Sequence, residues 1–330
     1  MRVVLFHPAM LPPRDYGGTE RVVLWLAKGL REEGHEVWVA ALAGSQLPQG
    51  VRLIPVPADQ TNARDILPRL PAGTDVVHFM APPEKSVWGR LPCAGVLTVH
   101  GNGQPGEVFP ANSIFLSQDH ARRHGAETYI YNGVDPVEYL FEPEQKGETY
   151  LFLSKTTWRV KNLSGAIRLC AQAEVPLDVA GGRRPLRFRA RALVSPRLAW
   201  LGPVSGEAKA RALAHAKALV FPVLWPEPFG LVVVEALMSG TPVIASPRGS
   251  LAELVPSEVG ALLDPDDEIR WIDLLQTRQL PFHADACRKW AMQKFHYRVM
   301  AQNYVTAYRR SIAGERLNQQ APTARGWRKG

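Results

Sequence analysis

RVVLFHPAMLPPRDYGGTERVVLWLAKGLREEG, residues 2–34, decides the fold class. It opens with a short apolar run rich in β-branched residues, passes through the Pro/Gly-rich loop LPPRDYGG at 11–18, and continues as the helix-like TERVVLWLAKGLREEG. Thr19 stands where an N-cap belongs, Val23, Leu26, Ala27 and Leu30 form one apolar face, and Gly34 sits where a glycine stops a helix. The unit is β-loop-α.

Outward from it, HEVWVAAL (35–42), VRLIPV (51–56), DVVHFM (75–80), GVLTVH (95–100) and SIFLS (113–117) continue a series of short apolar strands. Continuous apolar strands alternating with helical stretches imply a parallel sheet covered on both faces. NGVDPVEYLFEPEQKGE, 132–148, is rich in turn formers and charge and reads as a linker. A second series follows: ETYLFLS (148–154), the helical KNLSGAIRLCAQA, then LDVAGG (177–182), RLAWLG (197–202), ALVFPVL (218–224) and TPVIAS (241–246). The reading is α/β, with domains at 1–145 and 146–289, helices at 290–313, and an aperiodic tail at 314–330 expected to be disordered.

The composition agrees: 330 residues, 46% apolar and 21% charged, suit two packed domains of ~100 to 200 residues each. No apolar run approaches the roughly 18 residues that span a bilayer; the longest, Phe229 to Met238, is interrupted by Glu235, and the sequence starts directly on a strand-like segment. Secretion and membrane spanning are therefore disfavoured. Cys93, Cys170 and Cys287 form neither a disulfide framework nor a CxxC metal site, so a cytoplasmic location is expected. Residues 1–150 carry 13 basic and 17 acidic groups, whereas the rest carry 26 and 14, so an anionic partner is expected to meet the second half.

The most informative stretch for chemistry is PVLWPEPFGLVVVEALMSGTPVIASPRGSLAE, residues 222–253. If Phe229 begins a helix, the first free N–H groups come from Phe229, Gly230 and Leu231, where the helix dipole favours a phosphate. Gly230 would let that phosphate approach the backbone closely. Glu227 would stand beside the group attached to the phosphate, and Glu235, farther along the helix, could accept hydrogen bonds from two neighbouring hydroxyls, as a ribose presents. The alternative makes Glu227 a helix cap and Glu235 a solvated position. The apolar run around Glu235 counts against it, because a carboxylate in a buried stretch needs a partner. The three valines at 232–234 also admit a strand.

In SKTTWRVKN, 154–162, Lys155, Arg159 and Lys161 follow the first strand of the second half. Ligands of open α/β sheets bind at the carboxyl ends of strands, and preplaced cations there stabilise a departing diphosphate. An ordinary solvated loop is the alternative. In the first half, Gly17 and Gly18 permit close backbone contact, although neither GxGxxG nor GxxxxGK[ST] is present. His100, before Gly101-Asn102-Gly103, is the best placed of nine histidines to meet a ligand, with a structural role as the alternative. RRPLRFRAR, 183–191, has five arginines, for which a solvated helix face is the commoner outcome; nucleic acid is disfavoured because aromatic residues do not interleave with it.

With these motifs in place, the sequence resembles the retaining glycosyltransferases of family 4, whose fold is GT-B: two Rossmann-like domains with parallel sheets facing across a cleft. The resemblance runs over most of the chain, through YGGTERVV…LAKGLREEGHEV (16–37), TVHG (98–101), YNGVD (131–135), the loop 154–162, and EPFGLVVVEALMSGTPVIA (227–245) with the Glu-x7-Glu spacing of Glu227 and Glu235. It implies an N-terminal acceptor-side domain and a C-terminal domain binding a nucleotide sugar, with the final helices crossing back. Glu235 would hold the ribose, Lys155 or Arg159 with Lys161 the diphosphate, and Glu227 with the backbone of Phe229 to Leu231 the sugar and phosphates. His100 and the Gly17-Gly18 loop would complete the site. Two departures are Ser154-Lys155 where the family commonly has Gly-Arg, and an interval to Lys161 one residue longer than usual.

The resemblance implies hexose transfer from a nucleotide diphosphate sugar, UDP-linked first and GDP-linked next, to a glycan or lipid-linked acceptor, with retention and with no metal or other cofactor. Lipid-linked acceptors are compatible with peripheral association at the inner membrane face through the basic second half. Two rival readings are a nucleotide-sugar 2-epimerase of similar architecture and a non-catalytic nucleotide-sugar-binding protein.

Overall fold

The structure is a computed structural model and describes residues 1–13, 17–184 and 197–326. The chain divides into two compact units, one formed by Met1–Val134 with residues 295–326, the other by Asp135–Lys294. The first contains β1 (Arg2–Phe6), α1 (Gly18–Glu32), β2 (Glu36–Leu42), β3 (Arg52–Val56), β4 (Val76–Phe79), α2 (Lys85–Trp88), β5 (Ala94–Thr98), β6 (Ser113–Ile114) and α3 (Gln118–Arg123). The second contains β7 (Tyr150–Leu153), α4 (Leu163–Gln172), β8 (Leu177–Ala180), β9 (Leu198–Gly202), α5 (Gly206–His215), β10 (Leu219–Phe221), α6 (Leu231–Met238), β11 (Val243–Ala245), α7 (Leu251–Leu254), β12 (Gly260–Leu262), α8 (Glu268–Gln276) and α9 (Ala284–Phe295). α10 (Tyr297–Ile312) then belongs to the first unit.

Both sheets are parallel throughout, with orders β3-β2-β1-β4-β5-β6 and β12-β11-β10-β7-β8-β9. Numbered from its own first strand, the second sheet has the same order as the first. Each is a doubly wound sheet whose direction of winding reverses once, between β1 and β4 and between β7 and β10. Loops leaving the carboxyl ends of those strands part at that point and open a crevice, which is where such folds receive ligands. The central strands β1, β4, β7 and β10 are buried along nearly their whole length, as a sheet covered on both faces requires.

Several local expectations need correction. The N-cap of α1 is Gly17, not Thr19, and no side chain caps the helix; Gly34 does adopt a left-handed φ of +84° just beyond its end. β12 lacked a sequence signal because it is three residues long and carries no β-branched run. The tail is ordered as far as it is described: Asn318 donates to Ala111 O at 2.8 Å and Ser113 O at 2.7 Å, and accepts from Glu127 N at 2.9 Å and Thr128 N at 3.0 Å. Leu317 and Ala324 are buried, and Thr323 pairs antiparallel with Val108. An aperiodic segment whose order comes from one polar side chain pairing with loop backbone leaves no hydrophobic pattern to read. Among the described residues, no helix is long and apolar enough to cross a membrane.

α10 packs on α1 and β5 and closes a buried polar chain in the first unit. His78 Nδ1 lies 2.7 Å from the Tyr308 hydroxyl, His78 Nε2 lies 2.7 Å from Thr98 Oγ1, and Thr98 Oγ1 lies 2.8 Å from the Tyr304 hydroxyl. Burial pushes His78 down to about 3, so the ring is neutral at physiological pH. Burial also lowers His120 and His124, whose rings bond the carbonyls of Gly101 and Asn102 at 2.9 Å. In each case the unfolded chain binds the proton more tightly, so stability is present above the ordinary value near 6.5 and is lost as pH falls below it, for His78 toward about 3. The urea midpoint should therefore drop between pH 7 and pH 5, and His78→Gln should flatten that dependence; equal slopes for the two proteins would refute the assignment.

Candidate active site

At the switch point of the second sheet, β7 leads into the loop 154–162 and β10 into the loop 222–230. Asn162 joins the two. Its side chain caps α4 by accepting from Gly165 N at 3.0 Å and donates to Pro222 O at 2.9 Å. Leu224 N bonds Val160 O at 2.9 Å. Lys161, at the end of a short 3₁₀ turn over Arg159–Lys161, is thereby held against the segment that carries Glu227.

Lys161 Nζ donates to Glu227 Oε2 at 2.5 Å, and both side chains are buried. Trp225 Nε1 donates to the same oxygen at 2.7 Å. The ammonium also lies 4.9 Å from the Trp225 ring centre and 5.3 Å from that of Phe221. A buried carboxylate without such donors would face a desolvation cost of several kcal/mol, which the two donors offset. Lys155 and Arg159 are exposed; Lys155 sits 5.0 Å from the Trp158 ring centre, and among the described residues neither cation has an ion pair. Two unneutralised cations thus stand in the loop that leaves β7.

The backbone around Glu227 is fixed by close contact. Glu227 pairs with Gly249 in a parallel bridge, Ser250 N bonds Glu227 O at 3.0 Å, and Ser250 Oγ bonds Phe229 O at 2.6 Å. A Cβ on Gly249 would lie 2.3 Å from Glu227 O, and the residue has φ +67°, so both space and conformation demand glycine. Gly230, with φ +86°, is the N-cap of α6, and the helix starts at Leu231. This corrects the expected start at Phe229: the buried Phe229 precedes the helix, and the first free N–H groups begin at Leu231.

α6 is a helix and not a strand, and Val233, Val234, Ala236, Leu237 and Met238 are fully buried in it. A helix apolar on every side must lie inside the protein, and Glu235 is inside with it. Glu235 Oε1 accepts from Lys209 Nζ at 2.5 Å and from the Tyr139 hydroxyl at 3.0 Å. The far end of the helix is closed by cations suited to its dipole: Lys146 Nζ reaches Ser239 O at 3.3 Å, and Arg288 reaches Met238 O.

His100, Gly17 and Gly18 belong to the first unit. His100 follows β5, Gly17 precedes α1 and Gly18 opens it. Burial, with His7 beside it, pushes His100 down to about 3, while Glu20 opposes the shift. The ring is therefore neutral, and its buried Nε2 has no hydrogen-bond partner among the described residues. His7 Nε2 lies 3.7 Å from Glu20 Oε1 and holds that carboxyl below its usual range.

Sequence reasoning named neither Trp225, Lys209, Tyr139, His7 nor Glu20. Trp225 had a signal, two residues before Glu227 in Trp-Pro-Glu-Pro; Lys209 and Tyr139 had none, since one sits on an amphipathic helix and the other in the linker. Of the arginine-rich run, residues 185–191 lie outside the described residues; Arg184 stacks 5.4 Å from the Trp200 ring centre, and the Arg183 carbonyl accepts from Thr156 Oγ1 at 3.0 Å. Among the described residues, no group of three or more His, Cys, Asp or Glu could hold a metal ion.

The crystal structure of AviGT4, a glycosyltransferase involved in avilamycin A biosynthesis, is similar with a TM-score of 0.76 at 28% identity, covering 95% of this chain and 98% of that one. Anabaena HepE in complex with UDP shares the fold, with a TM-score of 0.69 at 19% identity and coverage of 93% and 99%. Two doubly wound sheets of identical order, matched along their length to such enzymes, define a GT-B glycosyltransferase. Residues 140–277 match the family model of the glycosyl transferases group 1, and the phosphatidyl-myo-inositol mannosyltransferase of Mycobacterium leprae is 28% identical over 334 residues, spanning 83% of this chain and 89% of that protein. These matches make the chain similar to the group 1 glycosyltransferases.

Two substitutions test the site's construction. Lys209→Met should destabilise the protein by about 3–5 kcal/mol because it strands a buried carboxylate, and adding Glu235→Gln should recover most of the loss in urea unfolding. Gly249→Ala should cost at least ~1–2 kcal/mol from its left-handed backbone alone. Wild-type stability in Gly249→Ala would contradict the close contact with Glu227.

Proposed function

We propose that the chain transfers a hexose from a nucleoside diphosphate sugar to a hydroxyl of a glycan or lipid-linked acceptor, with retention at the anomeric carbon and without a metal ion. The observation that carries this reading is the Lys161–Glu227 pair at the switch point, flanked by the exposed Lys155 and Arg159. Lys155, Arg159 and Lys161 hold the diphosphate; the N–H groups at the start of α6, with Phe229, Gly230 and Leu231 shaping that turn, assist them. Glu227 accepts a hydrogen bond from the sugar, and Glu235 from the ribose. The anomeric carbon–oxygen bond to the phosphate breaks, the acceptor oxygen bonds that carbon from the same face, and the acceptor proton passes to the leaving phosphate oxygen. Preplaced cations stabilise the charge growing on that phosphate. His100 offers a hydrogen bond to a ligand hydroxyl, and the glycines at 17 and 18 permit close backbone approach.

UDP-sugars are the first donors to test and GDP-sugars the next. The UDP in the HepE complex supports the first, and the mannosyl transfer named for the M. leprae relative puts mannose in the panel. That relative's phosphatidyl-myo-inositol acceptor supports a lipid-linked substrate, which peripheral association at the inner membrane face would suit.

Thermal shift with UDP, GDP, ADP and their sugars identifies the donor, since a ligand at 100 times its dissociation constant adds about 2.7 kcal/mol of stability. Glu235→Gln should weaken donor binding, and Lys161→Ala should mainly lower the rate. NMR of the product should show the donor's anomeric configuration. An inverted product refutes retention, a new epimer from donor alone marks an epimerase, and binding without transfer across a broad acceptor panel marks a non-catalytic binder.

A further inference from the structure

Glu227 is held in an unsymmetrical way. Both of its donors, Lys161 Nζ at 2.5 Å and Trp225 Nε1 at 2.7 Å, bond Oε2. Oε1 has no hydrogen-bond partner among the described residues, and it is not one of the sealed, unpartnered buried atoms. One oxygen of the carboxylate is anchored and the other is presented. The local sequence favours this arrangement. Pro226 and Pro228 follow Trp225 and Glu227, and a residue before proline is driven to extended backbone. In extended chain, side chains two apart share a face, in agreement with the bond between Trp225 and Glu227.

The two donors are not equivalent. Lys161 is a cation that a bound diphosphate would attract, and its hold on Glu227 weakens as it turns to the phosphate. The indole N–H is neutral, has no second polar task, and sits on a ring against which Trp158 packs edge-on at 6.0 Å and 83°. We propose that Trp225 is a positioning residue for the donor sugar. Its N–H keeps Oε2 of Glu227 in place while Lys161 serves the diphosphate, so that Oε1 faces a sugar hydroxyl. This rests on the nucleotide-sugar reading above and deepens it by separating sugar recognition from nucleotide recognition.

The test compares binding of UDP with UDP-glucose, and of GDP with GDP-mannose, by calorimetry. In the wild type, the sugar nucleotide that serves as donor binds more tightly than its bare nucleotide. Trp225→Phe removes the N–H and keeps a ring; it should weaken that sugar nucleotide about tenfold, or about 1.4 kcal/mol, and leave the bare nucleotide within about twofold. Replacing Trp225 with benzothienylalanine, which keeps the fused-ring shape with sulfur in place of N–H, should give the same split in a protein that packs as the wild type does. Trp225→His, which retains a ring N–H, should restore part of the preference. Retention of the full sugar preference by Trp225→Phe or by the benzothienyl protein overturns the positioning role and leaves the nucleotide-sugar reading standing. Failure of the wild type to bind any of the four ligands overturns that reading and this inference with it.

Discussion

Two carboxylates sit inside the second unit, and the site depends on the donors that meet each of them there. Glu227 is met by Lys161 and Trp225, and Glu235 by Lys209 and Tyr139, in both cases by a lysine and an aromatic donor. Removing an ion from water costs several kcal/mol after relaxation, so each buried carboxylate needs its donors. Each glutamate is therefore a constraint on distant segments: residues 158–162 must lie against 222–227, and α5 and the linker must lie against α6. The hydrogen bonds of Asn162 and the glycine at 249 are the backbone consequences of the first requirement.

The doubly wound order makes those constraints compatible. β7 and β10 are neighbours in the sheet although about 70 residues separate them in sequence, so the loops that leave their carboxyl ends open side by side. A basic loop and an acidic turn can then pair without either being extended to reach the other. α6, apolar on all sides, fills the layer beneath and takes its fixed place from burial, with most of its residues fully enclosed. Two exposed cations and the anchored Glu227 thereby stand on the neighbouring loops that leave β7 and β10, where positioning needs little further ordering on binding.

The first unit solves a different problem with uncharged groups. Its interior carries His78, His100, His120 and His124 as rings whose protonation burial opposes, tied to hydroxyls or carbonyls in three of the four cases. Neutral imidazoles provide directional bonds without the desolvation cost of an ion. His120 and His124 fasten the loop 101–102 directly after His100, so a ring whose buried Nε2 has no partner among the described residues is followed by a clamped backbone.

The sequence by itself determined the two-fold series of strands, the parallel α/β class, the basic loop at 154–162 and the two glutamates, because apolar runs, turn residues and the eight-residue spacing are local patterns. The helical start, expected at Phe229, lies two residues on at Leu231, since only the left-handed φ of Gly230 marks where the helix begins. The tertiary structure alone decided the order of strands, the neutral state of the histidines, the ordered segment at 314–326, and the partners Trp225, Lys209 and Tyr139. Those depend on what lies across space from a residue: Lys209 meets Glu235 from 26 positions away and Tyr139 meets it from 96. Charge state and hydrogen-bond partnership are properties of an environment that folding assembles, and a linear pattern carries no record of it.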